Sequence, residues 1–456
     1  MSPKYSNKNK EIHMNKRLLI VLALVLVLAL SFSLVACGND KDTAKPNENE
    51  DKLPDTGAEI KVPAVTIAAQ DFTKGATLES VTLPAGFTWK DKATALKVGK
   101  HDYLATYTKD GKSVDANISI EVKKSATRVD EDETVAFIEN KLRSDAFKKN
   151  GDLYGDSQYD QYVMILARSA KGVSADIKTA YMARVKDIVL PSVDPVTNIA
   201  RSENFVNFTN NTVPTLLAMG ESTVIDGVDL AAPYYNDAII VPGDANANTY
   251  ALITVKNLNI PAKYKTKDGV EHTSTNSVDK MIETVLALQN AGGYWEADEW
   301  AQNENDDWVI TGNKIPNIDN TTNAIIALAE FYDRPAVKTA IDKAMTYING
   351  KILASGALDN FGENISSTAA YITGLTALNI DPMTVKSAEG KSLVDYVASQ
   401  RIKEGNEKGG YVYAGEYVPE LIGTANYFST KDASISLISY NRYLRGDKNF
   451  YEFRLA

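Results

Sequence analysis

Hydrophobic and polar positions divide the chain into stretches with different grammars. From Leu18 to Val35 every residue is apolar except two serines, and Lys16 and Arg17 stand just before the run. A basic pair followed by such a run is a secretory signal rather than fold material, although its length approaches a bilayer span. From Gly38 to about Gly57 the residues are polar and charged, with two prolines. That stretch has too little apolar surface to fold and is expected to be a disordered tether. From about Ala58 to Lys124 short alternating runs predict strands. They are Ile60-Lys-Val62, Val65-Thr-Ile67, Tyr103-Leu-Ala-Thr-Tyr107 and Ile118-Ser-Ile-Glu-Val122, separated by turn signals at Pro84-Ala-Gly86 and Lys109-Asp-Gly111.

After Arg128 the apolar period becomes helical. Helices are expected over Glu131–Lys148, Gln158–Ser169, Ser174–Ile188, Ser277–Gln289, Asn320–Tyr332, Ala336–Leu353, Ser366–Leu378, Ser392–Arg401 and Lys431–Leu444. Helices of small and aliphatic residues, such as Asp319-Asn-Thr-Thr-Asn-Ala-Ile-Ile-Ala-Leu328, alternate with amphipathic ones, such as Pro335-Ala-Val-Lys-Thr-Ala-Ile-Asp-Lys-Ala-Met345. That alternation, at a repeat of roughly 45–60 residues, predicts a closed array of helix pairs. The small-residue helices form its inner ring and the amphipathic ones its outer ring.

Composition adds three constraints. Cys37 is the only cysteine, so no disulfide framework exists. The part after residue 36, about 420 residues, has length for two or three domains resting on buried apolar area. The residues before Cys37 carry five basic groups and one Glu, so the remainder stands near −14 against −10 for the whole chain. Such an acidic surface argues against nucleic acid as a partner, because that affinity rests on cationic contacts to phosphate. It also argues against a polybasic grip on anionic lipid.

Leu34-Val35-Ala36-Cys37-Gly38 resembles the lipobox of bacterial lipoproteins. The resemblance implies cleavage before Cys37, diacylglycerol on its thiol, and a mature chain held on the outer face of the cytoplasmic membrane. Two acyl chains suffice for stable anchoring. Met14 is an alternative start that shortens the signal without changing the mature chain.

Leu83-Pro-Ala-Gly-Phe-Thr-Trp-Lys90 and Val98-Gly-Lys-His-Asp-Tyr-Leu-Ala-Thr-Tyr-Thr108 resemble the immunoglobulin-like modules of Gram-positive surface proteins. Trp89 then reads as core and His101 as surface polar. Pro316-Asn-Ile-Asp-Asn-Thr-Thr322, Asn364-Ile-Ser-Ser-Thr-Ala369 and Tyr427-Phe-Ser-Thr430 resemble motifs of the α/α-toroid family, as do Ala245-Asn-Ala-Asn-Thr-Tyr-Ala-Leu252 and Gln289-Asn-Ala-Gly-Gly-Tyr-Trp295. That family holds the prenyltransferase and squalene–hopene cyclase repeats and the transcobalamin-like barrels. The nearest likeness is to prenyltransferase-repeat surface proteins of clostridia and related bacteria. The implied organisation is a signal peptide at 1–36, a tether at 37–57, an all-β immunoglobulin-like sandwich at 58–126 and an all-α toroid at 128–456.

The departures from the family bear on chemistry. The cyclase Asp-x-Asp-Asp cluster is matched here by Asn317, Asp319 and Asn320, a lone carboxylate without flanking acids to tune it. The prenyltransferase zinc set of Asp, Cys and His cannot be assembled, since the helical region holds no Cys and only His272. Neither a metal nor a cofactor is expected, and the lost motifs weigh against an enzyme.

Two groups of residues remain as candidate ligand sites. Asp319, Asn320, Ser366 and Thr430 would gather at one mouth of a closed toroid, where helix N-termini favour anionic or polar ligands; the same residue types are also ordinary N-caps. Trp295, Trp300 and Trp308 lie among carboxylates that include Asp306 and Asp307. Aromatic faces beside acids suit sugars or cationic groups, and Glu304, Asp306 and Asp307 are oxygen ligands of the kind calcium takes, without EF-hand spacing. The alternative is a loop whose tryptophans pack under the rim while its acids face solvent.

Three functions follow. The first is a membrane-anchored extracellular binding or adhesion lipoprotein recognising a glycan, peptide or small molecule at the toroid mouth. The second is a corrinoid-binding protein of transcobalamin type, which would need a closing β-domain; none is expected after the last helix, so the N-terminal domain would have to substitute. The third is a degenerate cyclase-like or sugar-active toroid enzyme using paired carboxylates. The lining of the central cavity separates them: an apolar funnel favours the cyclase, a polar aromatic cleft a glycan or peptide.

Overall fold

The computed structural model describes residues 60–72, 76–123, 131–144, 155–201, 209–303, 308–413, 425 and 427–454. The apolar run, Cys37, the tether and the junction near 126–128 lie outside them. From Ile60 onward the chain forms one compact unit.

Its N-terminal part is a four-stranded sheet in the order β1-β4-β3-β2, with β1 Gln70–Asp71, β2 Phe87–Trp89, β3 Gly99–Lys109 and β4 Lys112–Lys123. β3 and β4 form a long hairpin whose two-residue turn is Asp110-Gly111, both with positive φ (49° and 77°). That is the geometry Asp-Gly favours, because its twist matches the strands it joins. One face of the sheet buries Tyr103, Ala105, Ile118, Ile120 and Val122 against Phe72, Leu78, Val81 and Leu96. Trp89 is core, its Nε1 donating to the Val81 carbonyl at 2.9 Å. Among the described residues this is a single sheet covered by loops, in place of the two sheets of the expected sandwich. Ile60–Val62 and Val65–Ile67 are not strands; Val62, Val65 and Ile67 pack on the sheet core instead. Their alternation records one buried face, which a loop lying on a sheet also has.

Eleven α-helices follow among the described residues: α1 Glu131–Arg143, α2 Gly155–Arg168, α3 Ala175–Arg184, α4 Thr209–Ala218, α5 Ala245–Val255, α6 Val278–Ala287, α7 Ile318–Leu328, α8 Pro335–Asn349, α9 Ile365–Ala377, α10 Leu393–Ser399 and α11 Tyr427–Arg445. Each of α2, α4, α5, α7, α9 and α11 packs on the next, and α11 returns to α2, so six inner helices close a ring. α1, α3, α6, α8 and α10 pack on it from outside. Between α4 and α5 the regular alternation lapses. Short 3-10 turns over Ala232–Tyr235 and Asp237–Ile239 stand there, with two small hairpins nearby, β5–β6 (Val224–Ile225, Val228–Asp229) and β7–β8 (Lys263–Lys265, Glu271–Thr273). Small residues allow the inner helices their close approach: a Cβ on Gly374 of α9 would lie 3.0 Å from Ile325 Cγ2 on α7. No helix of the described residues is long and apolar enough to cross a membrane.

One device sets the start of five inner helices. A backbone N–H from a stretch that precedes each helix in the sequence donates to a side-chain oxygen in the helix. The pairs are Ala200 to Thr209 (2.9 Å), Val241 to Asn248 (3.1 Å), Trp295 to Thr321 (3.0 Å), Leu358 to Thr368 (2.8 Å) and Tyr411 to Thr430 (3.1 Å). All five acceptors are buried, and a buried N–H without a partner is costly. Thr430 is therefore a structural clip in the first turns of α11 and does not reach the mouth. The tryptophan-rich stretch is also not a loop. It is an antiparallel hairpin, β9 Trp295–Gln302 with β10 Trp308–Asn317, and β10 runs directly into α7.

Candidate functional site

The N-termini of α5, α7, α9 and α11 open onto one cleft of about 870 Å3. Its caps are Asp244, Asn317 and Asn364, whose side chains accept from the Ala247, Asn320 and Ser367 N–H groups. The expected capping role of Asp319, Asn320 and Ser366 thus moves a few residues upstream, and these three side chains are left for other work. Asn320 Nδ2 donates to the Glu296 carbonyl at 2.7 Å, fixing the hairpin to α7. Ser366 Oγ is buried without a hydrogen-bond partner and its residue lines the cleft.

Asp319 sits on the cleft floor. Ser367 Oγ donates to its Oδ1 at 2.5 Å, and Asn360 Nδ2 to its Oδ2 at 3.3 Å, tying α7 to α9. Burial pushes this carboxyl above its ordinary range; the Ser367 bond opposes the shift and the charge of Asp432 adds to it. Beside it Lys431 Nζ pairs with Asp432 at 2.9 Å. Burial alone would lower the lysine, but Asp432, Tyr427 and Tyr250 hold it well above its usual value.

The hairpin forms one wall, contributing Glu296, Asp298, Glu299, Trp300, Lys314 and Ile315. Lys314 pairs with Asp298 across the strands at 2.7 Å. Glu299 accepts from Asn313 Nδ2 (2.9 Å) and Thr311 Oγ1 (2.8 Å), bonds that hold its carboxyl below the usual range. A second wall is the tight turn between β11 Leu358–Asp359 and β12 Glu363–Asn364. There Phe361 has φ 58° and is 61% exposed, two unfavourable conditions for a large side chain. Tyr250, Trp300, Phe361 and Phe428 are the large aromatics that stand exposed among the described residues, and all four line this cleft.

Below Tyr250 and Lys431 the cleft narrows to a throat of about 50 Å3, lined by residues from all six inner helices. Gln161, Asn210, Asn211, Asn323, Thr254 and Thr373 share it with isoleucines and Met164. It has room for a few water molecules and nothing larger.

The structure therefore brings Asp319, Asn320, Ser366 and Trp300 together. It removes Thr430 and also Trp295, which is fully buried with its Nε1 donating to the Val285 carbonyl at 2.7 Å. Trp308 begins β10; its side chain, with Asp306 and Asp307, lies outside the described residues, as does Cys37. Sequence reasoning missed Tyr250, Phe361, Phe428, Lys431 and the asparagines at 246, 317, 323, 360 and 364. One signal was present: Asn317-Ile-x-x-Thr321 and Asn364-Ile-x-x-Thr368 share a spacing that joins cap and clip. The exposed aromatics had none, because burial and exposure of a lone aromatic read alike in sequence.

No family model matches the chain, and no curated protein matches it by sequence. Among solved structures it is similar to the type II terpene cyclase MstE from Scytonema, at 14% identity over 67% of this chain and 96% of that one, with a TM-score of 0.41. It is also similar to unsaturated glucuronyl hydrolase from Streptococcus agalactiae, at 8% identity over 70% and 92%, with a TM-score of 0.43. A third is ent-copalyl diphosphate synthase from Streptomyces platensis, at 12% identity over 64% and 50%, with a TM-score of 0.36.

Proposed function

We propose that this chain is a membrane-anchored extracellular binding lipoprotein whose toroid mouth recognises an oligosaccharide. The observation that carries the reading is the meeting of four exposed aromatics with a row of asparagines in one wide cleft. Sugar rings present apolar C–H faces to aromatics and hydroxyls to amides, so the lining suits both parts of such a ligand. The narrow throat and its amides do not suit an isoprenoid chain, and no feature of the cleft favours a corrinoid. Glycan-array screening, followed by titration of hits against Trp300→Ala, Phe361→Ala and Phe428→Ala, tests the reading. Binding lost in these variants, with the fold retained, supports it; unchanged binding, or no glycan bound, removes it.

A sugar-active enzyme is the second reading, favoured by Asp319 alone: a carboxyl whose pKa is raised by burial can act as a general acid. Turnover of a bound glycan that Asp319→Asn abolishes without weakening binding would replace the first reading.

The anchoring is proposed on Cys37 and the preceding apolar run. Metabolic labelling of the parent chain with a fatty acid, lost in Cys37→Ser together with cleavage before residue 37, is the expected result. A parent chain that stays in the membrane uncleaved and unlabelled would point to an uncleaved span.

A further inference from the structure

We infer that the oligosaccharide carries free, protonated amines. The inference rests on the glycan reading of the cleft and assigns the charge of its ligand. Six carboxyl side chains line the cleft, at Asp244, Glu296, Asp298, Glu299, Asp319 and Asp432, against two lysines. Both lysines are already matched, Lys314 by Asp298 and Lys431 by Asp432. Asp319 is held by hydrogen bonds from Ser367 and Asn360, and Asp244, Glu296 and Glu299 line the cleft with no ion-pair partner among the described residues.

Glu296 lies on the same face of β9 as the exposed Trp300, and Glu299, the residue next to Trp300, also lines the cleft. Their hydrogen bonds come from neutral groups: Asn290 to Glu296 (2.9 Å), and Asn313 and Thr311 to Glu299. Such bonds orient an anion without neutralising it. A cleft of one sign with low-dielectric walls focuses its potential on whatever enters, and aromatic faces attract the same sign of ligand. An ammonium on a sugar ring meets all three features while its hydroxyls meet the asparagines. An acidic sugar meets repulsion on this wall, and an N-acetylated one forgoes the charge. A second observation is independent of the acids: the Ser366 hydroxyl has no hydrogen-bond partner, and its residue lines the same cleft.

The test compares fully deacetylated chitohexaose with its N-acetylated counterpart by calorimetry. It is run at mildly acidic pH, where the amines are protonated and Glu299, with its lowered pKa, is still a carboxylate. The expected result is binding of the deacetylated hexamer about tenfold tighter or more at low salt, with the margin shrinking as ionic strength rises. Glu296→Gln and Glu299→Gln together should reduce the margin to within about threefold, with unchanged thermal melting. Equal binding, preference for the acetylated hexamer, or a margin untouched by the double substitution overturns the inference and leaves the glycan reading standing. Tighter binding of a lysine-rich peptide than of either hexamer overturns the glycan assignment itself. Binding of neither hexamer also overturns the inference, and the glycan array then decides the wider reading.

Discussion

Trp295 and Trp300 stand five positions apart on one strand and do opposite things. Trp295, at the foot of the hairpin, is fully buried; its backbone N–H is clipped by Thr321 and its indole by the Val285 carbonyl. Trp300 is 54% exposed, pairs across the hairpin with Ile310 and faces the cleft. The foot belongs to the toroid's repeating mechanics, the same backbone clip that recurs at Leu358 and Tyr411. The wall beyond it is unconstrained by packing and free to carry recognition. What separates two identical residues is how much of the ring closes over each.

The contrast makes measurable predictions. The largest effect is expected from Trp295→Ala, which empties a packed site and deletes a buried hydrogen bond. It should cost about 3–5 kcal/mol in urea unfolding, and a loss under about 1 kcal/mol would break the comparison. Next comes Thr368→Val, which keeps the shape but leaves the Leu358 N–H without its acceptor. A loss of about 1–3 kcal/mol is expected, whereas Thr→Val at an exposed position costs about 0.5 kcal/mol or less.

Trp300→Ala should leave stability within about 0.5 kcal/mol while weakening glycan binding by about 2 kcal/mol, the scale of an interface anchor. Loss of stability without loss of binding would return Trp300 to the packing side. The smallest effect concerns Asp319. Its folded pKa lies above the ordinary value of 3.8, so the native state binds the extra proton, and stability falls as pH rises from that value through the folded pKa. Asp319→Asn removes this dependence. Its stability relative to the parent should therefore rise as pH climbs from about 3.8 through the folded pKa, and parallel curves would show that the site does not raise the pKa of this carboxyl.

Much of the helical fold was legible. Nine helices were anticipated within a few residues at most ends, because each keeps a long apolar period and a polar start. The misses have physical causes. Thr209–Ala218 is rich in Asn and Thr and contains Pro214, so its propensity argues against a helix that ring packing nevertheless enforces. The hairpin carries no clear strand signal, since its acids and tryptophans alternate between two surfaces that are each partly wet. In the site, Asp319, Asn320 and Ser366 were expected at the mouth and Trp300 in a separate aromatic group; one cleft draws on both, while Thr430 of the first group and Trp295 of the second belong to the scaffold. A threonine near a helix start looks the same whether it caps, clips or binds.

By itself the sequence determined the periods: where apolar residues recur every two positions or every three to four, where small residues let inner helices approach, and where turns such as Asp110-Gly111 must fall. These are local consequences of backbone geometry and burial, so they can be read along the chain. Only the tertiary structure decided which residues meet. Asp319 depends on Ser367 and Asn360 from the next turn of the ring, and the cleft draws its walls from elements spread between Asp244 and Asp432. Closure of the ring also set the charge environment, burying Lys431 with its partner while leaving Glu296 and Glu299 unmatched beside Trp300. The reason is that burial and electrostatic pairing are properties of enclosed space, and that space exists only once six helices have closed around it.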